Sequence, residues 1–193
     1  YIKDKIIIYP SWKKDKLNDP EGKILIEIDP KMSFGTGHNE TTQLVLELMS
    51  ENIENSDEKM LDYGTGTGIL TIAGIKLGIS RGVAIDIDSD AIENAEEYFK
   101  RNLVQEKVKL VKANITEIEE DAFDVICANI IRSVITENIE HISGKIKPNG
   151  KLFLSGILLS EDQEILEYLT QYYFEIQDII SSAEWIGIYA VKR

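Results

Sequence analysis

The chain has 193 residues, is 43% hydrophobic and 28% charged, and carries a formal net charge of −13. This composition is typical of a soluble globular protein, and the charge opposes a sequence-independent grip on a nucleic-acid backbone. No apolar run approaches the ~20 residues of a membrane span, and the lone cysteine, Cys127, excludes a disulfide scaffold and favours a cytoplasmic location.

Strand and helix patterns alternate along most of the chain. A short strand and a polar connector fill 1–22, and alternation of apolar and polar residues predicts a strand at 23–29. Asn39 is a candidate N-cap for the first helix. The other predicted strands are 59–63, 82–86, 107–111, 123–129, 150–157, 174–180 and 184–192. The predicted helices are 39–53, 68–78, 89–103, 133–146 and 160–172.

This alternation predicts an α/β fold in which a parallel sheet has helices on both faces. The last two strands have no helix between them, so they are expected to pair as an antiparallel hairpin. A mostly parallel, seven-stranded sheet with an antiparallel C-terminal strand is the Rossmann-like layout of class I methyltransferases.

The segment "LDYGTGTGIL" places a glycine-rich turn after the strand at 59–63. Gly64, Gly66 and Gly68 let the backbone approach a ligand closely, although a tight turn without a ligand would show the same pattern. A dinucleotide-binding turn, G-x-G-x-x-G, would need glycine at position 69, where Ile69 stands. The spacing therefore favours a nucleoside that carries no pyrophosphate.

Polar residues end the next strands, where open sheets bind ligands. Asp86 is placed to accept hydrogen bonds from the hydroxyls of a ribose, whereas Asp88, directly before a helix, suits an N-cap. Asn114 follows the third strand, where an adenine edge would lie, and a polar loop residue is the alternative. Asn129 ends the fourth strand, and its amide must find either a ligand or a neighbouring loop.

Several segments, taken together and in this order, resemble the PrmA family of ribosomal protein L11 methyltransferases. They are "DPKMSFGTGHNETT", "LDYGTGTGILTIAGIKLG", "AIDIDSDAIENAEE", "CANII", "LSGIL" and "EWIGIYAVKR". The upstream F-G-T-G-x-x-x-T-T segment is the more specific part, because many methyltransferases share the glycine turn.

The resemblance implies that S-adenosylmethionine is the cofactor and that the upstream loop folds over its methionine end. Asn129 lies where the methyl group leaves, so it is the predicted catalytic residue. No metal is expected. The predicted cofactor contacts are Phe34, Thr36, Gly37, Thr42, Asp62, Gly64, Thr65, Gly66, Asp86, Ile87, Asn114 and Asn129.

The function that the resemblance implies is methylation of amino groups of ribosomal protein L11, at lysine side chains or the N-terminal amine. There are two alternatives. One is a related class I enzyme that acts on another protein or a small molecule, and the other is a cofactor-binding fragment without turnover. A nucleic-acid methyltransferase is disfavoured, because "ANII" replaces the N/D-P-P-Y signature of that class. Neither direct nucleic-acid binding nor membrane binding is expected.

The chain departs from the family pattern in three respects, one of which is Arg132, since the family usually has small residues after Asn129. Asn39 stands where the family usually has histidine, and His38 precedes it. The family also carries an N-terminal domain that recognises the ribosomal protein. We therefore expect 1–22 to be a remnant of an arm or linker and 23–193 to be the methyltransferase domain.

Overall fold

The computed structural model describes residues 1–17, 21–30 and 39–193. At its start, strands β1 (Ile6–Tyr9) and β2 (Ile24–Glu27) pair in parallel as a small sheet. Ile6 and Ile26 are fully buried in an apolar cluster that also contains residues of the main domain. Both predicted N-terminal strands are confirmed, and the small sheet that they form packs on the rest of the fold.

The main sheet of the described residues contains seven strands. They are β3 (Lys59–Tyr63), β4 (Arg81–Asp86), β5 (Val108–Lys112), β6 (Phe123–Asn129), β7 (Ile146–Leu158), β8 (Phe174–Ser182) and β9 (Trp185–Lys192). Their order is β5–β4–β3–β6–β7–β9–β8, and β9 runs antiparallel to both of its neighbours while the other pairs are parallel. The predicted fold is confirmed. The strand order reverses between β3 and β6, the point at which open sheets bind ligands.

Helices cover both faces of this sheet. The α-helices of the described residues are α1 (Glu40–Asn52), α2 (Ile69–Leu77), α3 (Ser89–Arg101), α4 (Arg132–Glu137), α5 (Ile139–Lys145) and α6 (Asp162–Gln171). One apolar cluster joins the sheet to α1, α2 and α3, and a second joins it to α4, α5 and α6. Successive strand residues alternate between the clusters, as Met60 and Leu61 do in β3. In the ranges that the structure describes, no helix is long and apolar enough to cross a membrane.

Two predicted elements differ from the structure. The single helix predicted at 133–146 is wrong, because the chain forms α4 and α5 with a break at Asn138. The Asn138 side chain donates from Nδ2 to the Val134 carbonyl oxygen at 2.9 Å, so it competes with the backbone of the helix for that acceptor. Strand β7 also begins before the predicted 150–157, since Ile146 already pairs with β6 ahead of an irregular segment.

Candidate cofactor site

The glycine turn after β3 has left-handed backbone at three positions, with φ of 76° at Gly64, 56° at Gly66 and 81° at Gly68. A Cβ on Gly64 would lie 2.4 Å from Cγ2 of Ile130, and one on Gly68 would lie 2.4 Å from Cε1 of Phe99. Glycine is therefore needed at both ends of this turn by the backbone conformation and by the packing of protein side chains. Close approach of a ligand is an additional role, not the only reason for the motif.

Asp86 is held against this turn at the end of β4. Its Oδ2 accepts a hydrogen bond from the Gly66 backbone N–H at 3.0 Å, and its Oδ1 accepts one from the Asp88 backbone N–H, also at 3.0 Å. Asp88 in turn caps α3 by accepting from the Asp90 backbone N–H at 2.9 Å. The capping role predicted for Asp88 is confirmed. The Asp86 carboxylate is fixed in orientation, and it remains partly exposed.

Asp62 is fully buried on β3, two residues before the turn. Its Oδ2 accepts hydrogen bonds from the hydroxyls of Thr65 and Thr71, each at 2.7 Å, and from the Thr71 backbone N–H at 3.2 Å. Its Oδ1 has no hydrogen-bond partner among the described residues. Burial raises the pKa of Asp62 to about 6, the threonine hydrogen bonds oppose this rise, and repulsion from Asp86 adds to it. The site therefore holds a costly, half-satisfied carboxylate that a bound cation would stabilise.

Asn129, at the end of β6, meets Thr42 from the upstream motif. The Asn129 Nδ2 donates to Oγ1 of Thr42 at 3.1 Å, although the residues are 87 positions apart in the chain. Thr42 is fully buried in the first turn of α1, whose N-terminus is capped by Asn39 through the backbone N–H and hydroxyl of Thr41. The two motifs therefore converge at one edge of the sheet, and the predicted capping role of Asn39 is confirmed.

Ile87 directly follows β4, and Asn114 lies two residues beyond the end of the neighbouring strand β5. The Ala113 backbone N–H donates to the Asp86 carbonyl oxygen at 3.0 Å, which aligns the two strand ends. The Ile87 side chain is 70% exposed, an unusual position for a large apolar residue beside a polar turn. Asn114 accepts a hydrogen bond at Oδ1 from the Tyr63 hydroxyl at 3.0 Å.

Sequence reasoning assigned no role to Tyr63 or Gly156, and both shape the site. Tyr63 directly precedes the glycine turn. A tyrosine on a buried strand needs a hydrogen-bond partner for its hydroxyl, and this need is the signal that could have identified it. Gly156, in β7, has φ of 82°, and a Cβ there would lie 2.4 Å from the backbone oxygen of Ile130. Gly156 therefore fixes the chain that follows Asn129.

The loop residues Phe34, Thr36 and Gly37, like His38, lie outside the described residues. Within the described ranges, no group of three or more histidine, cysteine or acidic side chains could hold a metal ion. Cys127 is buried at the centre of the sheet, where burial raises the pKa of its thiol well above the ordinary value. It is a core residue.

A family model described as "Ribosomal protein L11 methyltransferase (PrmA)" matches residues 1–193. The chain belongs to this family. Relatives named ribosomal protein L11 methyltransferase include one from Acetivibrio thermocellus, 35% identical over 97% of this chain and 59% of the relative. Another, from Staphylococcus saprophyticus, is 34% identical over 98% of this chain and 60% of the relative. The chain thus spans about three fifths of the length of these curated relatives.

Solved structures of other methyltransferases have the same fold as this chain. A ribosomal protein L11 methylase from Lactobacillus delbrueckii subsp. bulgaricus superposes with a TM-score of 0.90 at 28% identity, covering 100% of this chain and 98% of that one. A precorrin-6y C5,15-methyltransferase from Geobacter metallireducens superposes with a TM-score of 0.68 at 16% identity, covering 87% of this chain and 94% of that one. The second likeness shows the fold alone, which methyltransferases of very different substrates share.

Proposed function

We propose that this chain is the catalytic part of an S-adenosylmethionine-dependent methyltransferase that modifies amino groups of ribosomal protein L11. The observation that carries the proposal is the pairing of Asn129 with Thr42 at the point where the sheet order reverses. That contact joins the family's two motifs and leaves the Asn129 Oδ1 without a hydrogen bond from any described residue. An acceptor held in this way suits the hydrogen of an amine.

The residues at this edge fit the parts of S-adenosylmethionine. Asp86, fixed by two backbone amides, would accept hydrogen bonds from the ribose hydroxyls. Ile87 offers an exposed apolar side chain to the adenine ring, and Asn114 offers polar atoms to its edge. The unpartnered Oδ1 of Asp62 would be satisfied by the positively charged amino group at the methionine end.

The remaining predicted contacts belong to the same proposal. Gly64 and Gly66 would approach the cofactor through their backbone. Thr65, whose hydroxyl is already bonded to Asp62, would act through its backbone as well. Phe34, Thr36 and Gly37 are proposed to cover the methionine end together with Thr42.

In catalysis, the chain's own residues have to present an unprotonated amine in the right direction. S-adenosylmethionine supplies a methyl group on a sulfonium, which is a good leaving group. A lysine ammonium has a pKa of ~10.4, so a site that excludes water favours its neutral form. The Asn129 Oδ1 would accept an amine hydrogen and so direct the lone pair, which is catalysis by orientation.

The proposed partner and location are supported by the family and by the charge of the chain. The net charge of −13 disfavours nucleic acid as a direct partner and suits a basic protein substrate. We propose a cytoplasmic enzyme that does not act at membranes, with residues 1–22 as an arm or linker and 23–193 as the methyltransferase domain.

The test is transfer of a labelled methyl group from S-adenosylmethionine to purified ribosomal protein L11, with bulk RNA as the competing acceptor. We expect label on amines of the protein and none on RNA. Asn129→Ala should abolish transfer. Asn52→Ala is the matched control, because Asn52 lies at the opposite end of α1 from Thr42. Preferential labelling of RNA, or full activity of the Asn129 variant, would contradict the proposal.

A further inference from the structure

Two hydrogen-bond donors converge on one atom of the Asn114 side chain. The Tyr63 hydroxyl lies 3.0 Å from Oδ1, and the Ile115 backbone N–H donates to the same oxygen at 2.6 Å. A backbone N–H can only donate, so the atom between the two groups must be the amide oxygen and not the nitrogen. The Tyr63 hydroxyl must therefore donate too. The amide is fixed in one orientation, and no described residue accepts a hydrogen bond from its Nδ2.

Tyr63 is suited to hold this orientation permanently. The residue is only 5% exposed, and its ring packs in the apolar cluster between the sheet and α4 to α6. Burial, with a smaller effect from the negative charge of Glu137, raises the pKa of Tyr63 above its ordinary value of 10. The hydroxyl keeps its proton at neutral pH and remains a donor to Asn114.

Asn114 follows β5 at the carboxyl-end edge of the sheet, where the ligand is proposed to bind. The hydrogen bond from Ala113 to Asp86 sets the end of β5 against the end of β4, and the exposed Ile87 follows Asp86 directly. A purine lying on Ile87 would meet Asn114 at its edge. This step rests on the proposed function, in which adenine occupies that position.

We propose that Tyr63 is a positioning residue for base selectivity: together with the Ile115 backbone N–H, its hydroxyl holds the Asn114 oxygen, so that Asn114 presents only N–H donors to the purine. Adenine has an acceptor nitrogen, N1, on its six-membered ring and so matches a donor. Hypoxanthine carries a hydrogen on the same nitrogen, so two donors would face each other there. An unmatched polar group in a closed site is costly, and this cost discriminates against the wrong base.

The experiment compares binding of S-adenosylhomocysteine with binding of S-inosylhomocysteine, the analogue with hypoxanthine, by calorimetry. The 193-residue chain should prefer the adenine ligand by roughly tenfold or more, the range for one unsatisfied buried group. In Tyr63→Phe, which keeps the ring and removes the hydroxyl, the preference should fall severalfold, because only the Ile115 backbone N–H then holds the amide oxygen. Tyr189→Phe is the matched control, since that ring stacks on Phe153 and has no contact with Asn114. Its preference should be unchanged.

Making Tyr63→Phe in the Asn114→Ala variant separates a positioning role of Tyr63 from a general loss of structure. In Asn114→Ala, Tyr63→Phe should no longer alter the preference, because the residue through which Tyr63 acts is absent. An equal loss of both ligands in Tyr63→Phe, an unchanged preference, or the same change in the Asn114→Ala background would overturn the inference while leaving the proposed function intact. Failure of the unmodified chain to bind S-adenosylhomocysteine would overturn the proposed function itself.

Discussion

Replacing Asp62 with asparagine should stabilise the cofactor-free protein relative to the native chain as the pH rises, while weakening cofactor binding. Asp62 has a pKa of about 6 in the folded protein against an ordinary value of 3.8. The folded state therefore holds a proton more tightly than the unfolded state does. The stability that this proton contributes is complete below pH ~4 and is lost as pH rises through ~6, at a total cost of about 3 kcal/mol.

Asp62→Asn removes that pH-dependent cost and replaces the unpartnered Oδ1 with a neutral group. An unsatisfied amide costs about 1–3 kcal/mol, so the variant at pH 7.5 should be as stable as the native protein or slightly more stable. Its affinity for S-adenosylhomocysteine should nevertheless fall at least tenfold, because the charge that faces the amino group is gone.

Urea unfolding at pH 5 and pH 7.5 measures the first effect, and calorimetry at pH 7.5 measures the second. The native chain should lose about 1.4 kcal/mol more than the variant between the two pH values. Thr67→Val is a useful comparison, because Thr67 lies in the same turn and is as buried as Asp62 but cannot ionise. The reasoning would be refuted if the stability of the native chain and that of Asp62→Asn changed equally between the two pH values. It would also be refuted if Asp62→Asn bound S-adenosylhomocysteine as tightly as the native chain does.

Other substitutions test the neighbouring contacts. Gly156→Ala should lower transfer at least tenfold, because a Cβ would lie 2.4 Å from the Ile130 backbone oxygen; normal kcat would show that the turn can yield. Asp86→Ala should cost ~1.5–3 kcal/mol of cofactor binding, and Asp88→Ala should mainly lower stability by ~1 kcal/mol; calorimetry and thermal unfolding would expose a reversed order. Thr42→Val should lower both kcat and cofactor affinity, since it removes a proposed cofactor contact and releases the Asn129 amide; native kcat in steady-state kinetics and native affinity would contradict this.

The sequence predicts the main sheet because its signals are local. Apolar runs of strand length alternate with helical spacing, and the direct connection between the last two strands specifies their antiparallel pairing. The break at Asn138 escaped prediction because apolar residues keep their helical spacing on both sides of it. The break comes from a side chain that bonds to the backbone, which hydrophobic periodicity does not report.

In the site, too, roles set by neighbouring residues were predictable and long-range contacts were not. Asp88 and Asn39 were predictable as helix caps, because a cap acts over two or three residues. The contact of Tyr63 with Asn114 joins residues 51 apart, and that of Asn129 with Thr42 joins residues 87 apart. Such contacts depend on strand register and helix placement. Sequence motifs mark Asn114, Asn129 and Thr42, whereas the role of Tyr63 and the contacts themselves are revealed only by the fold.

A crystal structure of this chain with S-adenosylhomocysteine tests the central claim most directly. We expect the nucleoside at the carboxyl ends of β3, β4 and β5, with the ribose hydroxyls on Asp86, the base between Ile87 and Asn114, and the amino group at Asp62. Density at another surface, or a base turned away from Asn114 with Asp62 still unpartnered, would contradict it.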